Sequence, residues 1–429
     1  MEGEKFDFIV FGASGFTGQY TVDEVARVAE EEKLTWAVAG RSMQKLQTVL
    51  NEASARTGKN LENIPIIIAD SSNPSSLEEM AKQGRVVLNC VGPYRFYGEP
   101  VVKACIEAGT HHLDISGEPQ YLEKMQLLYN AKAKENNVLV IGATGFDSIP
   151  AETGILYTQK QFKDGEMTNI ESFVTTNSGP EGFTVNTGTF ESAVHGFAHM
   201  KELKPLRKSL FPDPLPKYEY RLPKRKTIFY SKEVNKWCVP FPGSDKSVVH
   251  RTVRDLLATG RIKKPIEFSP YFCVDSLLQV VGLVIFLAIF GLFASFSLGR
   301  SLLLKYPHVF SLGLFKKGGP TKKQIEGCSF SMTFVGYGYD KPESERSGTK
   351  PNKTVITKVT GPEPGYVTTP ICMTQVGVTL LKEQDKIPHK GGVVTAGAAL
   401  WNTSIIDRLE KHNIHFSTVS VTDSSDTSK

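Results

Sequence analysis

Short apolar runs alternate with amphipathic segments along the first 150 residues of the chain. Strands covered on both faces are apolar throughout, whereas apolar residues three or four positions apart indicate a helix with one buried face. The patterns predict strands at 6–11, 36–40, 64–69, 85–91, 111–115 and 138–141, and helices at 17–30, 42–55, 75–83, 99–109 and 119–136. Buried strands that alternate with helices favour a parallel, doubly wound sheet, so the predicted fold class is α/β.

A glycine-rich turn lies between the first predicted strand and the first predicted helix, with the spacing G-x-x-G-x-x-G. Gly12 permits a sharp exit from the strand, Gly15 lets the backbone approach a pyrophosphate, and Gly18 lets the helix pack closely on the sheet. The positive end of that helix would then point at the phosphates. We predict a dinucleotide site here, and a tight turn without a ligand is the alternative. Its candidate residues are Gly12, Ser14, Gly15, Phe16, Thr17 and Gly18.

The end of the second predicted strand indicates which dinucleotide is bound. Domains specific for NAD place Asp or Glu there, where the carboxylate holds the ribose 2′-hydroxyl. Here the strand ends in Gly40-Arg41-Ser42, and Lys45 follows one helical turn later. A guanidinium, a hydroxyl and an ammonium group suit a 2′-phosphate instead. We therefore predict NADP, with NAD as the alternative; an Arg41 that simply lies in solvent would leave the choice open.

Three further residues follow predicted strands and are candidates for cofactor binding. Asp70 closes the third strand, where it lies beside the adenine or else caps the helix after Asn73-Pro74. Asn89 closes the fourth strand, at the edge where the nicotinamide half of the cofactor is expected. Gly92 follows without side-chain bulk, which suits a nearby ring and equally suits an ordinary turn.

Five motifs occur in the order found in a known family of oxidoreductases. They are Phe11-Gly12-Ala13-Ser14-Gly15-Phe16-Thr17-Gly18, Ala39-Gly40-Arg41-Ser42, Leu88-Asn89-Cys90-Val91-Gly92-Pro93-Tyr94, Asp114-Ile115-Ser116-Gly117-Glu118-Pro119 and Gly145-Phe146-Asp147-Ser148-Ile149-Pro150. With them the chain resembles the saccharopine dehydrogenase-like oxidoreductases of animals, a group that the mycobacterial trans-acting enoyl reductases also resemble. The resemblance extends through 178–182 and 361–366 and covers nearly the whole chain.

The resemblance implies a Rossmann domain followed by a mixed α/β domain, association with lipid droplets, and a role in glycolipid or other lipid metabolism. The substrate is not implied. We predict a dinucleotide-binding domain at 1–150 and a substrate domain formed by 151–270 and 318–421. Whether the second domain also forms a homodimer is left open. A hydrophobic insertion at 271–317 interrupts the second domain, and a solvated tail occupies 422–429.

Candidate catalytic groups follow the fourth predicted strand. Saccharopine reductases carry Pro-Tyr-x-Phe-His at this point, whereas this chain has Pro93-Tyr94-Arg95-Phe96-Tyr97, so that Tyr97 replaces the histidine. A phenol, with a pKa of about 10, is a poorer base than imidazole. This motif, which faces the predicted cleft, also holds a single arginine, Arg95, and one guanidinium offers little charge to a substrate with several carboxylates. Both observations disfavour saccharopine. The candidates are Tyr97, which would donate a proton to the reduced substrate, Tyr94 and Asp114, and packing of the tyrosines within the cleft is the alternative.

Residues 276–299 form an uninterrupted stretch without charge, bounded by Asp275 and Arg300. The stretch exceeds the roughly 20 residues that span a bilayer as a helix, and a buried helix of that length would show a polar stripe. Apolar residues continue at 301–304 and 309–315, with Pro307 between them. The resemblance implies that the strand-like runs at 329–337 and 353–359 belong to the same domain as the region before the insertion. We therefore predict a monotopic hairpin that enters and leaves a membrane or lipid droplet by one face, facing the cytosol, with the endoplasmic reticulum or the mitochondrion as other locations.

Charge is concentrated just before this insertion. Residues 201–264 hold 17 lysines and arginines against 6 acids, a local net charge of +11, whereas the whole chain carries +5. A basic segment beside an apolar insertion suits an anionic lipid surface. Nucleic acid is a weaker alternative because no recognition motif is present, and a solvated loop would explain the prolines of this segment.

The six cysteines, at 90, 105, 238, 273, 328 and 372, are scattered, without a C-x-x-C pair or a Cys/His cluster. We therefore predict no metal site, no disulfide framework and a reducing compartment. The polar start of the chain predicts no secretory signal. Together the patterns predict an NADP-preferring oxidoreductase at a lipid surface that transfers hydride to or from an apolar substrate. The alternatives are a lipid-droplet structural or interaction protein with a non-catalytic nucleotide site, and an amino-acid dehydrogenase.

Overall fold

A computed structural model describes residues 4–346 and 350–423 of the chain. Its strands, numbered in chain order over these residues, are β1 Phe6–Phe11, β2 Trp36–Gly40, β3 Ile66–Ile68, β4 Gly84–Asn89, β5 His111–Asp114, β6 Leu139–Ile141, β7 Glu166–Asn177, β8 Val185–Asn186, β9 Phe229–Ser231, β10 Lys236–Pro240, β11 Glu267–Val274, β12 Phe315–Lys316, β13 Ser329–Tyr339, β14 Lys353–Pro362, β15 Gly392–Val394 and β16 His415–Asp423.

The α-helices of the same residues are α1 Phe16–Val28, α2 Met43–Thr57, α3 Pro74–Lys82, α4 Tyr94–Glu107, α5 Pro119–Glu135, α6 Ile149–Lys160, α7 Thr187–Ala198, α8 Leu203–Leu210, α9 Asp245–Ala258, α10 Leu277–Ala294, α11 Ser297–Lys305, α12 Pro307–Phe310, α13 Lys322–Glu326, α14 Thr369–Lys382, α15 Ala396–Leu400 and α16 Ile405–Lys411. Single turns of other helix types at Met200–Glu202 and Pro364–Thr368 also shape the site described below.

The first sheet is parallel, with the strand order β15-β6-β5-β4-β1-β2-β3. Phe11 of β1 pairs with Ala39 on one side and Asn89 on the other. The chain adds strands in one direction up to β3 and in the opposite direction from β4, so the carboxyl ends of β1 and β4 flank a switch point, where doubly wound sheets bind their ligands. The predicted Rossmann fold is confirmed.

The seventh strand of this sheet comes from the far end of the chain. β15 pairs in parallel with β6, Val393 lying beside Val140. α14 covers the sheet from the same distant region, and its Gly377 is so close to Phe8 that a Cβ would lie 2.9 Å from the ring. Both elements were predicted to belong to the second domain, whereas in the structure they complete the first sheet and its cover.

Some element boundaries differ from the predicted ones. α4 begins at Tyr94 rather than 99 and contains Pro100 in its interior. The predicted start of this helix at 99 was wrong because the first turn of α4 is held from outside the helix, by a carboxylate described below. Thr422 and Asp423, predicted to begin a tail, instead end β16 and pair with β14; residues 424–429 lie outside the described part of the chain.

The second sheet is mixed, with the order β16-β14-β13-β7-β11-β10-β9. β7 and β11 are parallel, and the other neighbours are antiparallel. Phe330 and Phe334 of β13 face the core that this sheet shares with the first domain. α6, which follows β6, packs on β13 and β14 and so joins the two sheets. The mixed second sheet agrees with the predicted α/β architecture.

α10 is the apolar helix predicted from the uncharged stretch. Over the described residues, it is the one helix long and apolar enough to cross a membrane, with a mean hydropathy of 2.7. A Ser276 capping box starts it, yet most of its large side chains are exposed, including Leu278 at 79% and Leu292 at 62%. β11 leads into α10, and after α11 and α12 the chain returns through β12, which pairs with β8. The insertion therefore leaves and rejoins the same folded body.

Candidate functional site

The glycine turn has the geometry expected of a nucleotide-binding turn. Gly12 has a φ of +82°, and a Cβ there would lie 2.7 Å from the side chain of Val91. A Cβ at Gly18 would lie 2.1 Å from the carbonyl oxygen of Gly12, so only glycine lets α1 pass this close to β1. Gly15 is exposed and is the N-cap of α1. The turn thus presents open backbone at the switch point of the sheet.

The N-terminus of α1 is left open to an anion. Its N-cap makes no side-chain hydrogen bond, and no acidic residue occupies its first turn. The first N–H groups of a helix carry partial positive charge and need acceptors from outside the helix. A pyrophosphate above Gly15 would supply them. Ser14, Phe16 and Thr17, which are also predicted to bind the cofactor, lie beside this terminus.

At the end of β2, Arg41 is exposed, and Ser42 is the N-cap of α2, where its hydroxyl accepts the N–H of Lys45 at 3.4 Å. The carboxylate of Asp70 accepts the N–H of Ser72 at 2.9 Å. That hydrogen bond, a second from the Ser72 hydroxyl and the charge of Arg41 lower the pKa of Asp70. The helix cap considered for Asp70 is instead Asn73, which accepts from Ser76. Arg41 therefore remains available to a 2′-phosphate.

The turn after β4 is held by Asn89 and Tyr94. The Oδ1 atom of Asn89 accepts the N–H of Val91 at 3.0 Å, and its amide nitrogen lies 3.2 Å from Nε2 of His112. The hydroxyl of Tyr94 donates to the carbonyl of Asn89 at 2.8 Å. Burial raises the pKa of Tyr94 well above its usual value. Both side chains are committed to shaping the turn, although each was predicted to serve the cofactor or the reaction.

Tyr97 and Gly92 differ from these neighbours in being accessible. Tyr97 lies in the first turn of α4 and is 43% exposed. A Cβ at Gly92 would make only ordinary contacts, the nearest at 3.5 Å to the Tyr94 ring, so packing does not require glycine there. Among the three predicted catalytic residues, Tyr97 is the one whose functional group is open to a ligand.

Asp114, at the end of β5, is buried and fully engaged. Its carboxylate accepts the N–H of Ser116 at 3.0 Å, the N–H of Ala143 at 3.3 Å and the hydroxyl of Tyr121 at 3.1 Å. Burial raises the pKa of Asp114 to about 6, against the effect of these donors. The carboxylate ties the ends of β5 and β6 to α5, and these contacts favour a structural role over direct contact with a substrate.

Glu118, which is not among the predicted site residues, organises the first turn of α4. Its Oε1 accepts the N–H of Tyr94 at 2.9 Å, and its Oε2 accepts the N–H of Arg95 at 3.3 Å. A buried anion at a helix N-terminus is stabilised by the helix dipole. Oε1 also accepts the hydroxyl of Ser192 in α7 at 3.1 Å. An acid placed just before Pro119, the first residue of α5, was the available signal.

α7 was also missed, and it joins the site to the apolar helix. Its buried Phe190 and Val194 face a cluster that includes Phe290 of α10. On another side of α7, the guanidinium of Arg95 donates to the carbonyl of His195 and to the ring of His199. The spacing of Phe190 and Val194 was the sequence signal for a buried helix face. One helix thus touches both the nucleotide-binding domain and the hydrophobic insertion.

Aromatic rings join the glycine turn to the second domain. The rings of Phe16 and Tyr366 meet edge to face, with centroids 4.7 Å apart, and Tyr20 completes the group. The hydroxyl of Tyr366 accepts the N–H of Asn186, the N-cap of α7, at 2.7 Å. A Cβ at Gly319, just after the insertion, would lie 2.4 Å from the Phe16 ring. Two segments that follow the insertion therefore pack against Phe16 of the nucleotide turn, and Asn186, which precedes the insertion, is hydrogen-bonded to one of them through Tyr366.

A cavity of about 430 Å³ lies between α4, α5 and the segment that follows α7. It begins beside the first turn of α4, and its walls combine apolar side chains with charged groups. Such a volume is typical of small-molecule sites. The apolar lining consists of Phe96, Tyr121, Met125, Leu127, Leu128 and Leu206.

The basic segment is partly neutralised by the fold. Four carboxylates from outside 201–264 form ion pairs with its cations, so its excess charge is less available to a partner than the sequence suggests. The pairs are Arg207–Glu123, Arg225–Glu171, Lys236–Asp275 and Lys264–Glu343. Over residues 4–346 and 350–423, no group of three His, Cys, Asp or Glu side chains is placed to hold a metal ion.

Three buried carboxyl groups lie where α6 and α9 meet at the domain junction. Burial raises the pKa of Asp147 to about 6 and that of Glu152 to about 7. Burial and the neighbouring Asp147 raise the pKa of Asp245 well above its usual value. Glu152 accepts hydrogen bonds from the hydroxyl of Thr252 and the N–H of Gly397, so it connects α6, α9 and α15.

Glu152→Gln is expected to change how stability depends on pH. Below pH 4.5 the carboxyl is protonated in both states; between pH 4.5 and about 7 the unfolded chain releases this proton while the folded chain retains it. The wild-type free energy of unfolding should therefore fall relative to the variant as pH rises, by about 3 kcal/mol in total. Urea unfolding at several pH values measures the difference, and parallel curves for the two proteins would contradict the prediction.

Comparison with known proteins agrees with this architecture. Residues 8–141 match a family model described as the saccharopine dehydrogenase NADP binding domain. The first domain is thus an NADP-binding domain, which confirms the predicted cofactor. The chain is similar in fold to an apo saccharopine dehydrogenase (L-Glu forming) from Saccharomyces cerevisiae, with a TM-score of 0.54 at 13% identity, covering 96% of this chain and 99% of that one.

Several curated relatives match this chain over nearly their full lengths. A saccharopine dehydrogenase-like oxidoreductase of Rattus norvegicus is 49% identical over 425 residues, covering 98% of each chain. A lipid droplet localized protein of Caenorhabditis elegans is 40% identical over 418 residues, covering 96% of this chain and 98% of the relative. This level of identity across the whole length confirms the resemblance seen in the motifs. The chain belongs to the saccharopine dehydrogenase-like oxidoreductase family.

Proposed function

We propose that this protein is an NADP-dependent oxidoreductase that works at the surface of a lipid droplet or membrane and acts on an apolar substrate of lipid or acyl type. The observation that carries the proposal is the position of α7. It packs its apolar face on the exposed apolar helix α10, and its polar side contacts Arg95 and Glu118 beside the switch point. The features that suit a lipid surface and those that suit a dinucleotide thus belong to one connected site.

The course of the chain supports insertion from one side. α10 exposes a broad apolar surface that would lie in contact with water on a soluble protein. The insertion starts from β11 and ends in β12, which pairs with β8 of the same body. A single span would place these strands on opposite sides of a membrane, whereas a hairpin does not. The nematode relative is named a lipid droplet localized protein, which supports a droplet surface as the site of insertion.

The cavity beside α4 supports an apolar substrate. Its walls could accept an aliphatic chain, while Tyr97, in the same turn of α4 as Phe96, would lie near the reacting end. Bound NADPH would supply the hydride. Tyr97 would donate a proton to the reduced substrate from its accessible hydroxyl, and Glu118 would hold the first turn of α4 in place through the N–H groups of Tyr94 and Arg95.

The geometry gives less support to an amino-acid substrate. The guanidinium of Arg95 is nearly buried and already bonded to His195 and His199, so it is not free to bind a substrate carboxylate. A second candidate function, a lipid-droplet interaction protein with a non-catalytic nucleotide site, is favoured by one observation. Tyr94 and Asp114 are committed to structural hydrogen bonds, which leaves Tyr97 as the sole accessible member of the predicted catalytic set.

The deciding experiment measures NADPH oxidation with a panel of lipid carbonyls and enoyl thioesters in the presence of phospholipid vesicles. We expect turnover with at least one long-chain substrate. Tyr97→Phe should lower kcat by about 100-fold and leave the Kd for NADPH unchanged. Tyr230→Phe, at a similarly exposed tyrosine in β9, serves as the matched control and should retain full activity. NADPH binding without turnover of any substrate would favour the interaction protein.

A further inference from the structure

Two buried thiols face each other in the second sheet. Cys238 in β10 and Cys273 in β11 are directly opposite in the antiparallel register. Their sulfur atoms are 2.8 Å apart, and both cysteines are free. The pair packs in a small cluster with Phe173 and Val335. Among the described residues, none of the other four cysteines is recorded in a contact with a second sulfur atom. The sulfur–sulfur contact therefore distinguishes Cys238 and Cys273 from them.

The register already satisfies the geometry of a cross-link. Residues directly opposite in an antiparallel pair have Cα atoms about 4.5 to 5.5 Å apart, within the range of about 4.4 to 6.8 Å found in disulfides. Oxidation would therefore require little movement of the backbone. We propose that Cys238 and Cys273 form a redox-sensitive site that a hydroperoxide converts reversibly into an intramolecular disulfide.

The chemistry balances with hydrogen peroxide as the two-electron oxidant. The thiolate of Cys238 attacks one peroxide oxygen, the O–O bond breaks, and the released hydroxide takes up a proton to become water. The sulfur of Cys273 then attacks the resulting sulfenic sulfur of Cys238, an S–S bond forms, and a second water leaves with the proton of Cys273. Two thiols and one peroxide thus give one disulfide and two waters.

The environment favours Cys238 as the attacking sulfur. A hydrogen bond from Cys273 and the nearby charge of Arg225 lower its pKa, although burial acts in the opposite direction. Access requires local opening, because both side chains are buried. β10 lies one strand from the edge of the sheet, and its outer neighbour β9 spans only Phe229–Ser231. Short edge strands open at lower free energy than central ones.

The site lies at the base of the apolar helix. β11 ends at Val274, three residues before α10 begins, and Lys236 of β10 forms an ion pair with Asp275 between them. A disulfide would fasten β10 to β11 at this point and restrict separation of the two strands. The reduced form is expected in a reducing compartment, and the oxidised form appears when peroxide exceeds the reducing capacity there.

Disulfide mapping of the full-length protein after treatment with hydrogen peroxide tests the proposal. We expect a linked Cys238–Cys273 peptide that dithiothreitol reverses, with both thiols lost about ten times faster than Cys105 and Cys372. The melting temperature should rise on oxidation because the cross-link constrains the unfolded chain. Cys238→Ala should show neither the linked peptide nor the rise, whereas Cys105→Ala should show both.

The wild-type protein alone can overturn the proposal, so the result does not depend on the folding of a variant. The proposal fails if Cys238 and Cys273 stay reduced in the presence of peroxide, whether or not Cys105 or Cys372 reacts. It also fails if the two residues become sulfinic acids or form cross-links between chains. The proposal does not depend on cofactor binding or on lipid binding, and these outcomes leave the proposed function unaffected.

Discussion

Gly15→Asp is expected to weaken NADPH binding by about 100-fold or more while the protein stays folded. Gly15 is the N-cap of α1, with φ −73° and ψ 162°, a conformation that any residue adopts. Aspartate is a favoured N-cap, and its carboxylate would accept the free N–H groups of the first turn. The same carboxylate would occupy the place of the pyrophosphate and repel it. A Cβ at this position would lie 3.1 Å from the carbonyl oxygen of Gly12, a tight contact that offsets part of the gain from the cap. The variant should therefore keep a melting temperature close to that of the wild type and show a much higher Kd, measured by fluorescence titration with NADPH.

A matched control separates this effect from added charge alone. Gly58→Asp introduces the same residue at the C-terminal end of another helix, α2, where a Cβ would have no neighbour within 4 Å. Its positive φ makes the replacement mildly destabilising, and NADPH affinity should be unchanged. Unaltered NADPH binding by Gly15→Asp would show that α1 does not receive the phosphates and would refute the assignment of the turn.

The double variant Leu278→Asp/Leu292→Asp is expected to lose binding to phosphatidylcholine vesicles and to artificial triglyceride droplets. Both leucines project from α10 and are more than half exposed, so their replacement should leave the fold intact. Each aspartate costs about 3 kcal/mol when placed in a bilayer core, enough for the pair to reduce partitioning by more than about 100-fold. Flotation of the protein with vesicles measures the loss.

Phosphatidylcholine and triglyceride carry no net charge, so repulsion between the new aspartates and anionic headgroups does not contribute to the result. Val419→Asp/Val421→Asp changes two other exposed apolar residues, in β16, and should float like the wild type. NADPH binding should be equal in all three proteins, because the cofactor turn is untouched. Retained flotation of the α10 variant would place the lipid contact elsewhere, with the basic segment as the next candidate.

The sequence was most informative where local chemistry determines local structure. Gly12 and Gly18 were predicted from spacing alone, and the structure shows that each leaves no room for a Cβ. The parallel strands β1 to β6 followed from continuous apolar runs. The family model over 8–141 confirms NADP, for which Arg41 and the missing carboxylate after β2 were the first indications.

Contacts between distant parts of the chain could not be predicted in the same way. β15 is three residues long, too short for a periodic pattern, and is recognisable as a strand only from its pairing with β6. α4 begins earlier than predicted because Glu118, more than twenty residues away, accepts the N–H groups of its first turn. Tyr94 is buried in the same turn. Its motif suggested a catalytic role, but its hydroxyl is hydrogen-bonded to a backbone carbonyl.

The position of β15 has a consequence for the order of events during synthesis. The first six strands leave the ribosome about 250 residues before Gly392–Val394, which complete the sheet, and α14, which covers it. Until that late segment is available, the edge of β6 and the apolar face around Phe8 lack their partners. The apolar helix α10 emerges in this interval. The nascent chain therefore exposes two unprotected apolar surfaces at once, and its yield of native protein should depend on chaperones or on a lipid surface during translation.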